Sequence, residues 1–195
     1  MKKTACEDTG AFCQHYPKIA VVVTASAGGR DNAMAAAWHT AISKKPPLYC
    51  VMISAGHYTY KLIKESGEFG LNFLPAERTE LVAALGGSKG SQTDKFTAYG
   101  IHKDPSLKTG VPVLTDAYAA FECKLVDDLE FSDHRLVIGQ VVAVHYCEEV
   151  LLPDGSLDLS KVSPVLYMGC DRYLDLAGCR ETKIDRNACA DRLKS

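Results

Sequence analysis

The sequence predicts a mainly β chain with inserted helices, an α+β fold whose strands close into a barrel. Short runs rich in β-branched residues recur along the chain between Gly and Pro breaks, and the second half is almost entirely strand-like. Two helical patterns interrupt them, too few for the alternating order of a doubly wound sheet. At 195 residues and 47% hydrophobic, the chain can bury one substantial core. Residues 1–15 read as an N-terminal extension, 16–175 as the folded domain and 176–195 as a C-terminal tail.

Residues 19–24 are Val-rich and lie between Pro17 and Gly28-Gly29, the pattern of a buried strand followed by a loop. That loop runs on through Asn32 to Trp38. Residues 48–53 form a second strand after the Pro46-Pro47 break. Residues 59–66 read as a short helix capped by Thr59 and stopped by Gly67. A strand returns over 69–74. Pro75 then opens a helix with Glu77 and Glu80 early in it, which buries Leu81, Val82 and Leu85 and ends at Gly86-Gly87. Residues 86–91 include Lys89 but lack the Gly-Lys-Ser/Thr triplet of a phosphate loop, so they read as a solvated loop. Further on, 120–126 alternates apolar and polar residues, and 135–147 is a long β-branched run. Pro153-Asp154-Gly155 is a turn, and 165–168 a short strand. Residues 180–195 are charged, with little beyond Ile184, Ala188 and Leu193 to pack, and read as a tail or weak helix.

A formal charge of -2, with Lys and Arg dispersed, gives no basic face for nucleic acid. The longest apolar run, near 136–144, is broken by Gly139 and Gln140 and is too short to span a bilayer. Residues 1–16 have no apolar segment of the secretory type, so a cytoplasmic location is expected. Eight cysteines show no C-x-x-C pair, which argues against a zinc site. Cys50, Cys123 and Cys147 fall in apolar strand-like runs and read as small core hydrophobes, whereas Cys170, Cys179 and Cys189 have no such explanation.

Several residues at strand ends suit a flat, phosphate-bearing ligand. Asn32 offers an amide for a ring edge, although turn chemistry after Gly28-Gly29 also explains an Asn there. Trp38, the single Trp, offers a flat aromatic face, although a core position fits it equally. Thr59 stands at a helix start, where free N–H groups and the dipole favour an anion. Lys95, beside Phe96, and His134, beside Asp133, could balance negative charge, or serve as a surface lysine and a structural histidine. His39, next to Trp38, is the second choice for His134's part, while His15, His102 and His145 have no companions that suggest ligation. No nucleophile stands beside a base, so no side chain is expected to act as a covalent catalyst.

With these residues in this order, the chain resembles the flavin reductase-like family of FMN-binding split barrels, most closely the flavoredoxins. The match runs from about Tyr16 to Tyr173. It rests on YPKIAVVVTASAGGRDNAMAAAWHT, TYKLIKESGEFGLNFL, DKF, GVPVLTDAYAAFECKLV, SDHRLVIGQVVAV and PVLYMGCDRYLDL. The resemblance implies a homodimeric six-stranded split barrel holding FMN non-covalently near the dimer interface. Carried onto this sequence, the flavin contacts are Asn32, Trp38, Thr59, Lys95, His134 and Tyr167, with Met34, Ala35, Ser54, His57, Tyr58 and Asn72 beside them. His57 stands where many reductases keep an Arg, and Trp38 replaces a commonly smaller residue. Both departures favour the flavoredoxin side.

Two functions follow from the resemblance. One is an oxidoreductase that oxidises NADH or NADPH and reduces free flavin, for a partner monooxygenase, or another small acceptor. The other is an electron carrier served by ferredoxin or another redox protein. In either, a cation such as His134 near the ring's pyrimidine end would stabilise the reduced flavin. A thiol-redox or metal-binding module built on the cysteines is the non-flavin alternative.

Overall fold

Val21, Val23 and Ala25 point to one side of a strand and Val22 and Thr24 to the other, and all five are buried. That is why the run is continuously apolar rather than alternating. The computed structural model describes residues 1–10, 12–176 and 178–179. Its strands are β1 (Lys18–Ile19), β2 (Val21–Ala27), β3 (Arg30–Ala36), β4 (His39–Lys44), β5 (Pro47–Ile53) and β6 (Glu68–Phe73), then β7 (Lys103–Asp104), β8 (Val113–Leu114), β9 (Ala119–Phe131), β10 (His134–Tyr146), β11 (Leu166–Gly169) and β12 (Arg172–Leu174). Helix α1 (Tyr58–Ser66) joins β5 to β6, and α2 (Thr79–Gly87) and α3 (Lys95–Ala98) follow β6.

Among the described residues, seven antiparallel strands form one sheet in the order β3-β2-β6-β9-β10-β5-β4. β3 and β4 are its opposite edges, yet only Ala37 and Trp38 separate them in sequence. Three Cα steps reach about 11 Å at most, so the sheet must curl until its edges meet. Met52 N–H donates to the Trp38 carbonyl at 2.9 Å, which carries the β4–β5 pairing into that connection. The expected barrel is present, with seven strands in its sheet rather than six. Edge strand β4 pairs only with β5, which follows it after the Lys45-Pro46 turn.

The segment expected to be a loop, from Asn32 on, is strand β3. Gly28 and Gly29, at φ of 57° and 74°, make a two-residue turn that pairs Ala27 with Arg30 and sets the register of the whole hairpin. The alanines of β3 have little strand propensity of their own, and the hairpin supplies what they lack. Thr59 is not the cap of α1. His57 holds that position without a side-chain hydrogen bond, and Thr59 is buried in the first turn. Pro75 is followed by a 3-10 turn (Ala76–Arg78) before α2 begins. The Cys170-Asp171 turn, with φ of 51° and 56°, adds β12 to the expected strand near 165–168.

Two apolar clusters result. One fills the barrel, where Phe69, Leu71 and Val137 meet Leu62 and Ile63 of α1. The other lies outside it, where Val82 and Leu85 of α2 and Phe96 of α3 cover Val22 and Ala33. Cys50 and Cys123 are buried in the sheet, but Cys147 is exposed one residue past β10, and Cys170 and Cys179 are exposed thiols. Cys189 and the tail over 180–195 lie outside the described residues. His145 is engaged in a hydrogen bond, its Nε2 2.6 Å from Oε1 of the fully buried Glu122. Among the described residues, no helix is long and apolar enough to cross a membrane.

Candidate functional site

The seam that closes the barrel also opens a hollow. Trp38 stands in it, half-buried, its ring 5.0 Å from that of His134 at the start of β10. The end of β5 with Ser54, the N-terminus of α1 and the loop from Gly86 to Gln92 complete the walls. The open cavity is about 700 Å³, within the range of cofactor sites. The side chains on its wall that can carry charge are Lys89, Lys95, His57 and His134, and no carboxylate is among them.

Lys95 is 2% exposed, and its Nζ donates to the carbonyls of Ala33 at 2.9 Å and Leu85 at 2.8 Å. Burial pushes its ammonium down to about 8, and no acid among the described residues pairs with it. Burial, then His134 and Lys95, also hold His57 below its ordinary value. Because α1 has no side-chain cap, the N–H groups of its first turn remain available at the cavity wall.

Of the residues singled out in the sequence, Met34, Ala35, Trp38, Ser54, His57, Tyr58, Thr59, Lys95 and His134 all line this cavity. Three of the expected residues do not. Asn72 is buried in β6, donating to the Val22 carbonyl and Thr24 and accepting from Leu114 N–H, so it ties strands together. Tyr167 packs on Tyr173 beside a smaller neighbouring cavity. Asn32 lies beneath the wall, not on it. Its Nδ2 donates to Thr59 Oγ1 at 2.8 Å, and its buried Oδ1 has no hydrogen-bond partner. His39 faces the other side of the seam, with both ring nitrogens engaged by Tyr49 and the Ile19 carbonyl.

The loop after α2 is largely exposed, as expected, and it also forms part of the cavity wall. Its Gly90 packs so closely on Asn32 that a Cβ there would lie 2.1 Å from Oδ1. Gly90→Ala should therefore lift the loop, and with it Lys89, off the cavity, and weaken anion binding about as much as removal of a charge-assisted contact would. Titration with inorganic phosphate and with flavin checks this. Asp94 caps α3 by accepting from Phe96 N–H and Thr97 N–H, and that cap fixes where the loop must end.

The flavin reductase like domain model matches residues 13–173. The chain belongs to that family. An uncharacterized protein of Aeropyrum pernix is 35% identical over 158 residues, or 80% of this chain. The chain spans 59% of that relative's length. An FMN-binding protein from Thermus thermophilus, solved with 1-cyclohex-2-enone bound, is 32% identical, with a TM-score of 0.81 over 95% of this chain and 99% of that one. Flavoredoxin of Desulfovibrio vulgaris (Miyazaki F) is 28% identical, with a TM-score of 0.82 over 97% of this chain and 100% of that one. Within this flavin reductase-like chain, then, the main cavity lies at the seam of the barrel.

Proposed function

We propose that the chain is a flavin-dependent oxidoreductase that holds FMN non-covalently in the main cavity and passes electrons through it. The observation that carries this reading is the cavity itself, lined by Lys89 and Lys95, with no carboxylate on its wall, and bounded at one side by Trp38. Residues and cofactor fit. Lys95, Ser54, Thr59 and the first turn of α1 offer donors for a dianionic phosphate, while Trp38, Met34 and Ala35 offer surface for a flat ring. Asn32 supports the phosphate end from below by orienting Thr59. His134, in contact with Trp38, balances charge at the ring end. When bound, FMN supplies the redox chemistry, and the protein supplies binding, orientation and electrostatics.

NADH or NADPH is the electron donor in this reading, which similarity to an FMN reductase (NADH) of Agrobacterium fabrum, 32% identical over 124 residues, supports against the departures that favour a flavoredoxin. The similarity to a flavoredoxin supports a second one, in which a redox protein such as ferredoxin takes that part. Anaerobic addition of NADH or NADPH to the FMN-loaded protein separates them, since bleaching of the flavin by nicotinamide alone is expected only in the first.

Trp38 gives a direct check on the site. FMN added to apoprotein should quench most of the single-Trp emission. Trp38→Ala should weaken FMN binding by about 1–3 kcal/mol, by analogy with aromatic stacking on bases. Fold stability should change far less than the 3–5 kcal/mol or so that a core Trp would cost, because Trp38 is half-buried at a cavity wall. Urea unfolding and flavin titration on the one variant measure both.

A homodimer also belongs to this reading. The β9–β10 hairpin leaves Val126, Phe131, Val144 and Tyr146 more exposed than apolar side chains on a strand normally remain. Sedimentation at micromolar concentration should show a dimer, and a monomer that binds FMN would place the whole site within one chain.

A further inference from the structure

Beside the main cavity lies a smaller annex of about 260 Å³, below the usual size of a stand-alone ligand site. The two share walls: Ala35, Ala36, Ala37, Gly86 and Gly87 line both. The annex exists because the sequence keeps those positions small, on β3 and at the end of α2, with Ala83 behind them. Its far side is the tilted pair Tyr167 and Tyr173, ring centroids 5.2 Å apart, with Asp171 at the rim. Among the described residues, neither tyrosine hydroxyl nor the Asp171 carboxylate has a hydrogen-bond partner.

These features differ in kind from the main cavity. That cavity is cationic and suits phosphate. The annex has aromatic faces, a carboxylate that only accepts hydrogen bonds and two hydroxyls, so it suits a flat ring bearing an amine, or a sugar bearing hydroxyls, and it repels phosphate. A ligand part of that description, joined by phosphates to a ring that must reach the flavin, is the adenosine half of a reduced nicotinamide dinucleotide. We propose that the annex is the adenosine subsite of the electron donor, with the Tyr167–Tyr173 pair contacting the base and Asp171 accepting from its amine or ribose hydroxyls. This rests on the FMN reading of the main cavity. It also accounts for Tyr167, which the resemblance placed among the flavin contacts and the fold places next door.

The test compares NADH with reduced nicotinamide mononucleotide, which lacks the adenosine half, in anaerobic bleaching of the FMN-loaded protein. The wild type should show a lower KM for NADH. Ala83→Phe, which fills the annex, should raise the KM for NADH roughly tenfold, the scale of one lost base–aromatic stack. It should leave the KM for the mononucleotide and the affinity for FMN unchanged. Asp171→Asn, which keeps a residue tolerant of the left-handed turn, should raise the NADH KM in the same selective way, and it decides the matter if Ala83→Phe does not fold. Equal effects on both donors, or no effect on either, would overturn the subsite. So would reduction by neither donor in a protein that binds FMN, which leaves the flavin reading standing. Failure of the wild type to bind FMN at all would overturn that reading instead.

Discussion

Lys95→Met should weaken FMN binding roughly ten- to hundredfold while leaving riboflavin binding nearly unchanged. Lys95 is a buried cation with no carboxylate beside it, so the phosphate is its natural counter-charge. A charge-assisted hydrogen bond contributes about 1.5–3 kcal/mol, which sets the size of the effect. The same change releases the carbonyls of Ala33 and Leu85, which Lys95 now holds together between β3 and the last turn of α2. That costs stability, about 1–3 kcal/mol for buried acceptors left unpaired. Comparing the two flavins on the folded variant separates the binding effect from the structural one. If riboflavin falls as far as FMN, Lys95 acts only as a brace.

The largest loss of stability is expected far from the cavity, at Glu122. This fully buried carboxylate on β9 accepts from the N–H groups of Leu107, Lys108 and Thr109, from the Thr109 hydroxyl and from His145. It pins the segment that leads into β8 onto the barrel. Glu122→Ala strands three donors and the histidine at once, and should cost about 3–5 kcal/mol in urea unfolding. Burial alone would push the Glu122 carboxyl up, but the donors from Leu107, His145, Lys108 and Thr109 outweigh it and bring it down to about 2. A folded value below the ordinary 4.5 means that the ionised form favours the fold. Its stabilisation is complete above the unfolded value and is lost as pH falls from there toward about 2. The variant should therefore show a flatter acid limb than the wild type.

The barrel was legible because its evidence is periodic and local. Val-rich and β-branched runs between Gly and Pro breaks mark most of the sheet. Strand β3 was hidden because Asn, Met and Ala carry little strand preference, and pairing with β2 decides their conformation. The site was legible in part for a different reason. Residues that line the cavity, such as Trp38, Thr59, Lys95 and His134, fall near the ends of elements, where binding groups concentrate. Asn72 looked the same in sequence, but a buried amide in a β-strand is as readily spent on neighbouring strands, and only the register shows which. Gly90 and the rest of its loop were passed over because their contribution is closeness to Asn32, a long-range contact that no local pattern records.

The central claim is that the cavity at the seam holds FMN by its phosphate. Titration of apoprotein with FMN and riboflavin, followed by flavin fluorescence near neutral pH and again well above the Lys95 value of about 8, tests it most directly. Phosphate binding stabilises the charged ammonium, so the contribution of Lys95 is whole below that value and fades as the pH rises through and beyond it. The prediction is at least a roughly tenfold preference for FMN at neutral pH that shrinks on the alkaline side. Equal affinity for the two flavins at neutral pH, or a preference that does not change with pH, would contradict it.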